Sequence, residues 1–366
     1  MRAITDGELT ARAATGARRP AVRIAEVAAL AGVSTATVSR ALAKPGRVNA
    51  RTRERVLEVV RRTGYTPNAA GRNLRAARSM TVLVVVPSFI TPFFSELLLG
   101  VDRALSARGY GLLIGNLHDG KAEQERRLVD LVLAGQADGV LLLNGEILRS
   151  GTRSLADAGR PIVAVSVPAP TPDVPAVLVQ EREGAAAVAH HLLDLGHRRF
   201  GYVCGVAGHH GEEERWASFV ATLAAAGVPA DGVVRYPGDF HVGSGVEAGQ
   251  HFLAARHRPT AVFAASDMMA IGFMRTVHAA GLRVPRDVSV AGFDGIELAD
   301  YCEPPLTTVR QPREAMGHAA AELLVRLIHG EPIPPEAGTL RLEVTLRPAA
   351  STGAPPPARA TRKPRA

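Results

Sequence analysis

The stretch Ser34-Thr35-Ala36-Thr37-Val38-Ser39-Arg40 sets short hydroxyls and one guanidinium at helical spacing, a combination suited to a polyanion with hydrogen-bonding edges. Short hydroxyls reach phosphate oxygens, and the flat fork of an arginine matches the two acceptors on a guanine edge. Such residues work only if a helix presents them, and the surrounding pattern supplies one. Ile24, Val27, Ala28 and Ala31 fall at i, i+3, i+4 and i+7, the apolar stripe of a two-turn helix that Gly32 stops. Ser34 then stands as N-cap of a second helix from Thr35 to about Ala43, with Val38 and Leu42 inward. Asn49 opens a third helix to about Arg62, with Val56, Val59 and Val60 on one side and Gly64 as its stop. Three helices with a glycine-containing turn between the first two predict a helix-turn-helix over residues 21–67. In a major groove, Thr35, Ala36 and Arg40 would face base edges, while Ser34, Thr37 and Ser39 would reach phosphates and Arg47 and Asn49 the backbone beside them. Periodicity alone fits a plain helical bundle equally well.

Charge favours the nucleic-acid alternative. The 366-residue chain carries a net charge of +8, with arginines crowded from Arg18 to Arg78 and again from Arg359 to Arg365. A basic end on a mixed-charge body is the footprint of a polyanion partner. Residues 1–20 and 349–366 lack apolar periodicity and are expected to be disordered basic tails. The two cysteines, Cys204 and Cys302, have neither metal-site nor disulfide spacing, so reduced thiols, no metal and no cofactor are expected. No secretory leader and no membrane-length apolar run is evident, which predicts a cytoplasmic protein without a membrane partner.

Four words in the first region, Ile24-Ala25-Glu26-Val27-Ala28, Ala31-Gly32-Val33-Ser34, Thr37-Val38-Ser39-Arg40 and Gly64-Tyr65-Thr66-Pro67-Asn68, resemble in order and spacing the lactose/galactose repressor (LacI/GalR) family. The resemblance implies a transcription regulator, most often a repressor, bound to a pseudopalindromic operator as a homodimer, with a tetramer also open. It implies base reading by Thr35, Ala36 and Arg40, and a hinge helix within residues 68–79 that includes Asn68, Leu74 and Arg75. In the family the leucine matching Leu74 wedges between minor-groove base pairs. A segment of about eight residues with Gly71 inside is too short to hold a helix alone, so it is expected to order only on DNA. Ala43 departs from the family, which commonly has a DNA-contacting asparagine there.

From Met80 the texture changes to short apolar runs between amphipathic stretches. Val82–Val86, Leu112–Ile114, Gly139–Leu143 and Ile162–Val165 read as buried parallel strands, and Phe200–Val203, Val233–Tyr236, Ala261–Ala264 and Val288–Ala291 as a second set. Two doubly wound lobes follow, with a cleft at the carboxyl ends of their strands. The expected fold is therefore α + α/β: a headpiece, a hinge, and a two-lobed effector domain over 80–348. The first lobe is expected at about 80–178 and 310–338, the second at 179–309 and 339–348.

This part also resembles the family, whose effector domain is similar to periplasmic sugar-binding proteins. Supporting words are Thr91-Pro92-Phe93-Phe94, Leu195-Gly196-His197-Arg198-Arg199, Ala265-Ser266-Asp267-Met268-Met269-Ala270, Gly292-Phe293-Asp294 and Pro305-Leu306-Thr307-Thr308-Val309. The resemblance implies an effector site made of Phe93, Phe94, Ser166, Arg215, Phe240, Ser266, Asp267 and Asp294. Such types suit a polar ring: a donor fork, a carboxylate for paired hydroxyls and flat apolar walls. Each has a plainer reading, core packing for the phenylalanines, a turn for Asp294, and an ion pair with Glu212-Glu213-Glu214 for Arg215. His209 and His210 are open between ligand contact and solvation. A sugar or related metabolite is expected as small-molecule effector, but Ser166 stands where the family often has aspartate and Gln180-Glu181 where it often has Asp-Asn, departures that imply an unusual pocket and leave a nucleobase or other metabolite open.

An enzyme is disfavoured. The chain has no Gly-x-Gly-x-x-Gly turn after its first strand, no Gly-x-Ser-x-Gly elbow, no Walker loop and no His-Glu-x-x-His. A secreted sugar carrier would leave residues 22–75 without a use.

Overall fold

The structure is a computed structural model that describes residues 22–43, 45–65, 78–88, 90–117, 121–333 and 338–357. The expected hinge residues Asn68, Leu74 and Arg75 and the expected tails 1–20 and 358–366 lie outside the described residues. The chain divides into two units, one up to Ala77 and one from Arg78.

In the first unit, α1 (Ile24–Leu30), α2 (Thr35–Ala43) and α3 (Ala50–Thr63) share one core made of Val27, Ala28, Ala31, Val38, Ala41, Val56, Val59 and Tyr65. Local caps set the boundaries. The Ser34 hydroxyl accepts from the Thr37 amide at 3.1 Å, and the Asn49 side chain accepts from the Arg51 amide at 3.0 Å, which satisfies amides that a helix start leaves without partners. Gly64 ends α3 in the left-handed conformation, φ 65°, where a side chain would be strained.

The second unit holds two six-stranded sheets. The first contains β1 (Thr81–Val86), β2 (Gly111–Asn116), β3 (Gly139–Leu142), β6 (Ile162–Val165), β7 (Ala176–Val179) and β13 (Thr339–Leu342), in the order β13-β7-β6-β3-β1-β2, all parallel. A two-residue-strand hairpin, β4 (Arg149–Ser150) and β5 (Arg153–Ser154), sits apart. On β1 alternate side chains serve opposite faces. Val82, Val84 and Val86 pack under α4 (Phe93–Ala107) and α10 (Arg313–Ile328), whereas Leu83 and Val85 pack under α5 (Lys121–Leu133). A sheet covered on both sides needs apolar residues at every position, hence the unbroken run. Where α4 and α10 cross, Gly100 and Gly317 let the backbones meet: a Cβ on either would strike the carbonyl of Glu314 or Leu97 on the other helix.

The second sheet holds β8 (Phe200–Val203), β9 (Val234–Tyr236), β10 (Ala261–Ala264), β11 (Ser289–Asp294), β12 (Thr307–Arg310) and β14 (Thr345–Arg347), in the order β14-β12-β11-β10-β8-β9. Only β14 runs antiparallel to its neighbour. It is flanked by α6 (Glu181–Asp194), α7 (His210–Ala225), α8 (Val242–Ala254) and α9 (Asp267–Ala279), around an aromatic core of Phe200, Tyr202, Phe219, Phe252, Phe263 and Phe273.

Two expectations are corrected. The chain crosses between lobes after β7, after β12 and after β13, so residues 339–342 belong to the first sheet and the division expected at 338/339 falls after Leu342. Thr339–Leu342 is an edge strand that is mostly exposed and so lacks the buried apolar run that marks its neighbours. Residues 349–357, expected to be part of a disordered tail, are bound to the second lobe. The buried Ser351 hydroxyl donates to the Val290 carbonyl at 2.6 Å and accepts from the Thr307 amide at 2.8 Å. The His197 Nε2 lies 2.9 Å from the Gly353 carbonyl. Polar pairing of this kind leaves no hydrophobic trace in the sequence. Among the described residues no helix is long and apolar enough to cross a membrane.

Candidate functional site

On α2, Thr35, Ala36 and Arg40 are exposed, while Val38 and Ala41 are buried on the opposite side. The Arg40 Nε donates to the Ala36 carbonyl at 3.2 Å, which braces the guanidinium along the helix. The Ser34 hydroxyl is occupied by its cap and stands 2.9 Å from the Thr37 hydroxyl. Thr37 and Ser39 are half-buried, and Arg47 and Asn49 are exposed at the turn that leads into α3. The face at the start of α2 thus presents two side-chain donors, Thr35 and Arg40, and the small methyl of Ala36 on a capped helix.

The second unit contains a cavity of about 300 Å³ between its lobes. It lies at the carboxyl ends of the strands, where this architecture binds ligands. Ser88, Thr91, Phe93 and Phe94 enter from the end of β1 and the start of α4, Asn144 from the end of β3 and Ser166 from the end of β6. The second lobe contributes His209 and Arg215 beyond β8, Asp239 and Phe240 beyond β9, and Asp294 at the end of β11. Ser166, Phe240 and Asp294 have φ of 63°, 69° and 124°. Left-handed backbone at a non-glycine residue costs on the order of 1–3 kcal/mol and clusters where a fold positions functional groups.

Arg215 and Asp294 are held in place by protein partners. The Arg215 Nε donates to Glu181 Oε2 at 2.7 Å and Nη1 to the Ala265 carbonyl at 2.6 Å, with the guanidinium 3.9 Å over the Phe293 ring. Burial opposes its charge, but Glu181 and Asp294 outweigh burial and hold its pKa up. Asp294 Oδ1 accepts from Gln311 Nε2 at 2.9 Å, and its carbonyl accepts from Arg313 Nη1. Burial pushes the Asp294 carboxyl up, against the pull of Arg215 and Arg313. The Phe240 carbonyl accepts from the Ser266 hydroxyl at 3.3 Å. The His209 ring meets Phe240 edge-on at 5.1 Å. Burial, then the charges of Arg215 and His210, push His209 down to about 4, so it is neutral at pH 7, and its buried Nδ1 has no hydrogen-bond partner.

Six of the expected effector residues, Phe93, Phe94, Ser166, Arg215, Phe240 and Asp294, therefore lie around one cavity. Two do not. Ser266 caps α9 through the Met269 amide at 3.3 Å, and Asp267 is fully buried, accepting from the Ile296 amide at 2.8 Å and the Thr308 hydroxyl at 2.5 Å. Both stand behind the wall and shape the Phe240 and Gly295 turns rather than facing the cavity. Sequence reasoning missed Glu181 as the partner of Arg215, although that position stood out as a departure, and it missed Asn144, Gln311 and Arg313. The signal for Asn144 was its place just past a strand, as for Ser166. Gln311 and Arg313 follow β12, a strand the pattern did not reveal. Among the described residues no group of three metal-ligating side chains is brought together.

Residues 23–68 match the family "Bacterial regulatory proteins, lacI family", and residues 189–352 match "Periplasmic binding protein-like domain". The chain is 36% identical over 327 residues to the HTH-type transcriptional repressor CytR of Escherichia coli K12, covering 89% of this chain and 96% of that protein. Among solved structures it is similar to a complex of the transcriptional regulator CelR with cellobiose, at TM-score 0.67 and 35% identity over 91% of this chain and 100% of that one. It is also similar to the lac repressor dimer bound to operator and the anti-inducer ONPF, at TM-score 0.79 and 26% identity over 92% of this chain and 100% of that one.

Proposed function

Because the chain belongs to the LacI family of bacterial regulatory proteins, we propose that it is a cytoplasmic repressor that reads a pseudopalindromic operator as a homodimer and is controlled by a small effector held in the interlobe cavity. The observation that carries the assignment of the site is that one cavity brings together a donor fork, Arg215, a carboxylate, Asp294, and aromatic walls, Phe94 and Phe240, from both lobes. A ring-shaped polyol offers those walls an apolar face and those polar groups its hydroxyls. The neutral His209 adds one unpaired ring nitrogen. No reaction is assigned to the cleft.

On α2, Arg40, Thr35 and Ala36 take base edges and Thr37 and Ser39 take phosphates, with Arg47 and Asn49 beside them; Asn68, Leu74 and Arg75 are assigned to the hinge. Ligand that contacts both lobes favours their closed arrangement, shifts the first lobes of the dimer and changes the spacing of the hinges. A coupling of this kind is typically about 1–3 kcal/mol. Selecting bound sequences from random duplexes with the full chain tests the assignment. Two symmetric half-sites are expected, and binding without sequence preference would overturn it. Asp294→Ala should then retain operator binding and lose the response to whichever metabolite shifts the wild type; a retained response would remove Asp294 from the site.

A further inference from the structure

Among the described residues Arg215 is the one permanently cationic side chain that lines the cavity, and a buried ion pair already engages its charge. Among the described residues the ionisable side chains of the lining are Arg215, His209, Asp239, His241 and Asp294. Two are carboxylates, and no lysine is among them. The side chains of Arg215 and Glu181 are 6% and 7% exposed and form an ion pair at 2.7 Å. Glu181 is the first residue of α6, immediately after the chain crosses from β7 in the first lobe, so its position is fixed by the crossover and not by a flexible loop. A further guanidinium, Arg313, donates to the carbonyls of Asp294 and Gly295 and pairs with Glu96, outside the lining.

We propose that Glu181 makes the cavity selective for uncharged ligands: by holding Arg215 in a buried ion pair it offsets the only permanent cation that the described residues place in the lining, so a neutral ring-bearing polyol enters and its phosphorylated or carboxylated counterpart does not. An anion drawn into this space would lose its hydration and face Asp294 and Asp239 without an unpaired cation to compensate. A neutral hydroxyl meets no such penalty, because it accepts from a guanidinium that stays paired. The proposal rests on the reading of the cleft as the effector site, and it assigns Glu181 as a specificity residue that acts through Arg215.

The test uses inorganic phosphate as probe and Trp216, the only tryptophan of the chain, as reporter of thermal unfolding of the full-length protein, with ionic strength held constant by exchange against chloride. Phosphate stabilises folded proteins non-specifically by exclusion from their surface, so each protein is compared with the same background carrying Arg215→Met. Wild type and Arg215→Met should show the same shallow rise in Tm. Glu181→Gln should show a saturable rise on the order of 2 °C or more above that baseline, and Glu181→Gln/Arg215→Met should lose it. A saturable response in wild type that Arg215→Met removes would overturn the proposal, as would a Glu181→Gln protein that responds no more than its double variant. If Glu181→Gln does not fold, Glu181→Asn takes its place, and the comparison of wild type with Arg215→Met decides in any case. The phosphate response reads the charge of the cavity whether or not an effector binds there, so its failure is separable from a failure of the Asp294→Ala experiment.

Discussion

The headpiece and the cleft solve the same problem, holding polar groups in fixed positions, over very different distances along the chain. In the headpiece the bonds that fix the reading face are local: Ser34 to Thr37, Arg40 to Ala36 and Asn49 to Arg51 span three, four and two residues. In the cleft, Asp294 and Gln311 are 17 residues apart, Arg215 and Glu181 are 34, and Arg313 and Glu96 are 217. Local bonding makes a module whose function survives in a short motif. Long-range bonding makes a site that exists only once segments far apart in the chain have been brought together.

The largest expected effect breaks the cleft side of this contrast. Arg313 is 1% exposed and joins β11 of the second lobe to Glu96 on α4 of the first. Arg313→Met removes the donors to two buried carbonyls and should cost about 3 kcal/mol or more, read by denaturant unfolding followed at Trp216. Glu96→Gln should cost less, because glutamine keeps an oxygen for the Arg313 Nη2 and the Asp294 and Gly295 carbonyls still accept from the guanidinium. An Arg313→Met cost below about 1 kcal/mol would mean that this bridge does not hold the two lobes together. Next in size is a pH effect. The native fold prefers neutral His209, whose pKa is lowered to about 4, while the unfolded chain titrates near 6.5. The stabilisation is complete above about pH 6.5 and is lost as pH falls toward 4, on the order of 2 kcal/mol after allowance for its partial exposure. Asp294 and Asp267, raised by burial, act in the opposite sense, losing stability as pH rises. The difference between wild type and His209→Gln across this range isolates the histidine, and a pH-independent difference would remove it from the buried wall.

How much could be read from the sequence follows the same division. The three headpiece helices, their caps and the exposure of Thr35, Ala36 and Arg40 were all legible, because 3.6-residue periodicity and capping report on neighbours within a turn. In the effector domain every fully buried parallel strand before β7 in the first lobe announced itself as an apolar run. The edge strand β13 did not, since it is mostly exposed. Nor did β12, Thr-Thr-Val-Arg, whose buried threonines satisfy their hydroxyls through the Ala349 carbonyl and Asp267. Cavity walls such as Phe94 and Phe240 were reached by likeness to a family. What fixes them, the Glu181–Arg215 pair and the Gln311–Asp294–Arg313 cluster, was not reached, because pairing across 17 to 34 residues leaves no period.

Headpiece variants should leave the Trp216 transition untouched, which sharpens the contrast. Arg40→Ala is expected to weaken operator binding by about 1–3 kcal/mol and to relax base choice at one position per half-site. Equal weakening on all sequences would assign Arg40 to phosphate. Smallest is Asn49→Ala. The Asn49 side chain accepts from the Arg51 amide at 3.0 Å at the start of α3, and loss of such a cap costs about 1 kcal/mol. Residue 49 is exposed, so no packing is lost with it. Val56 and Val59 of α3 belong to the same small core as Val38 of α2, and fraying the start of α3 should therefore loosen the seat of the reading helix. Amide hydrogen exchange should speed up in α2 and α3 by roughly fivefold, the factor that 1 kcal/mol implies, with none in the strands of either lobe. Exchange confined to α3 would show that α2 keeps its place without the cap, and that the headpiece is less of a single cooperative module than its short-range bonding suggests.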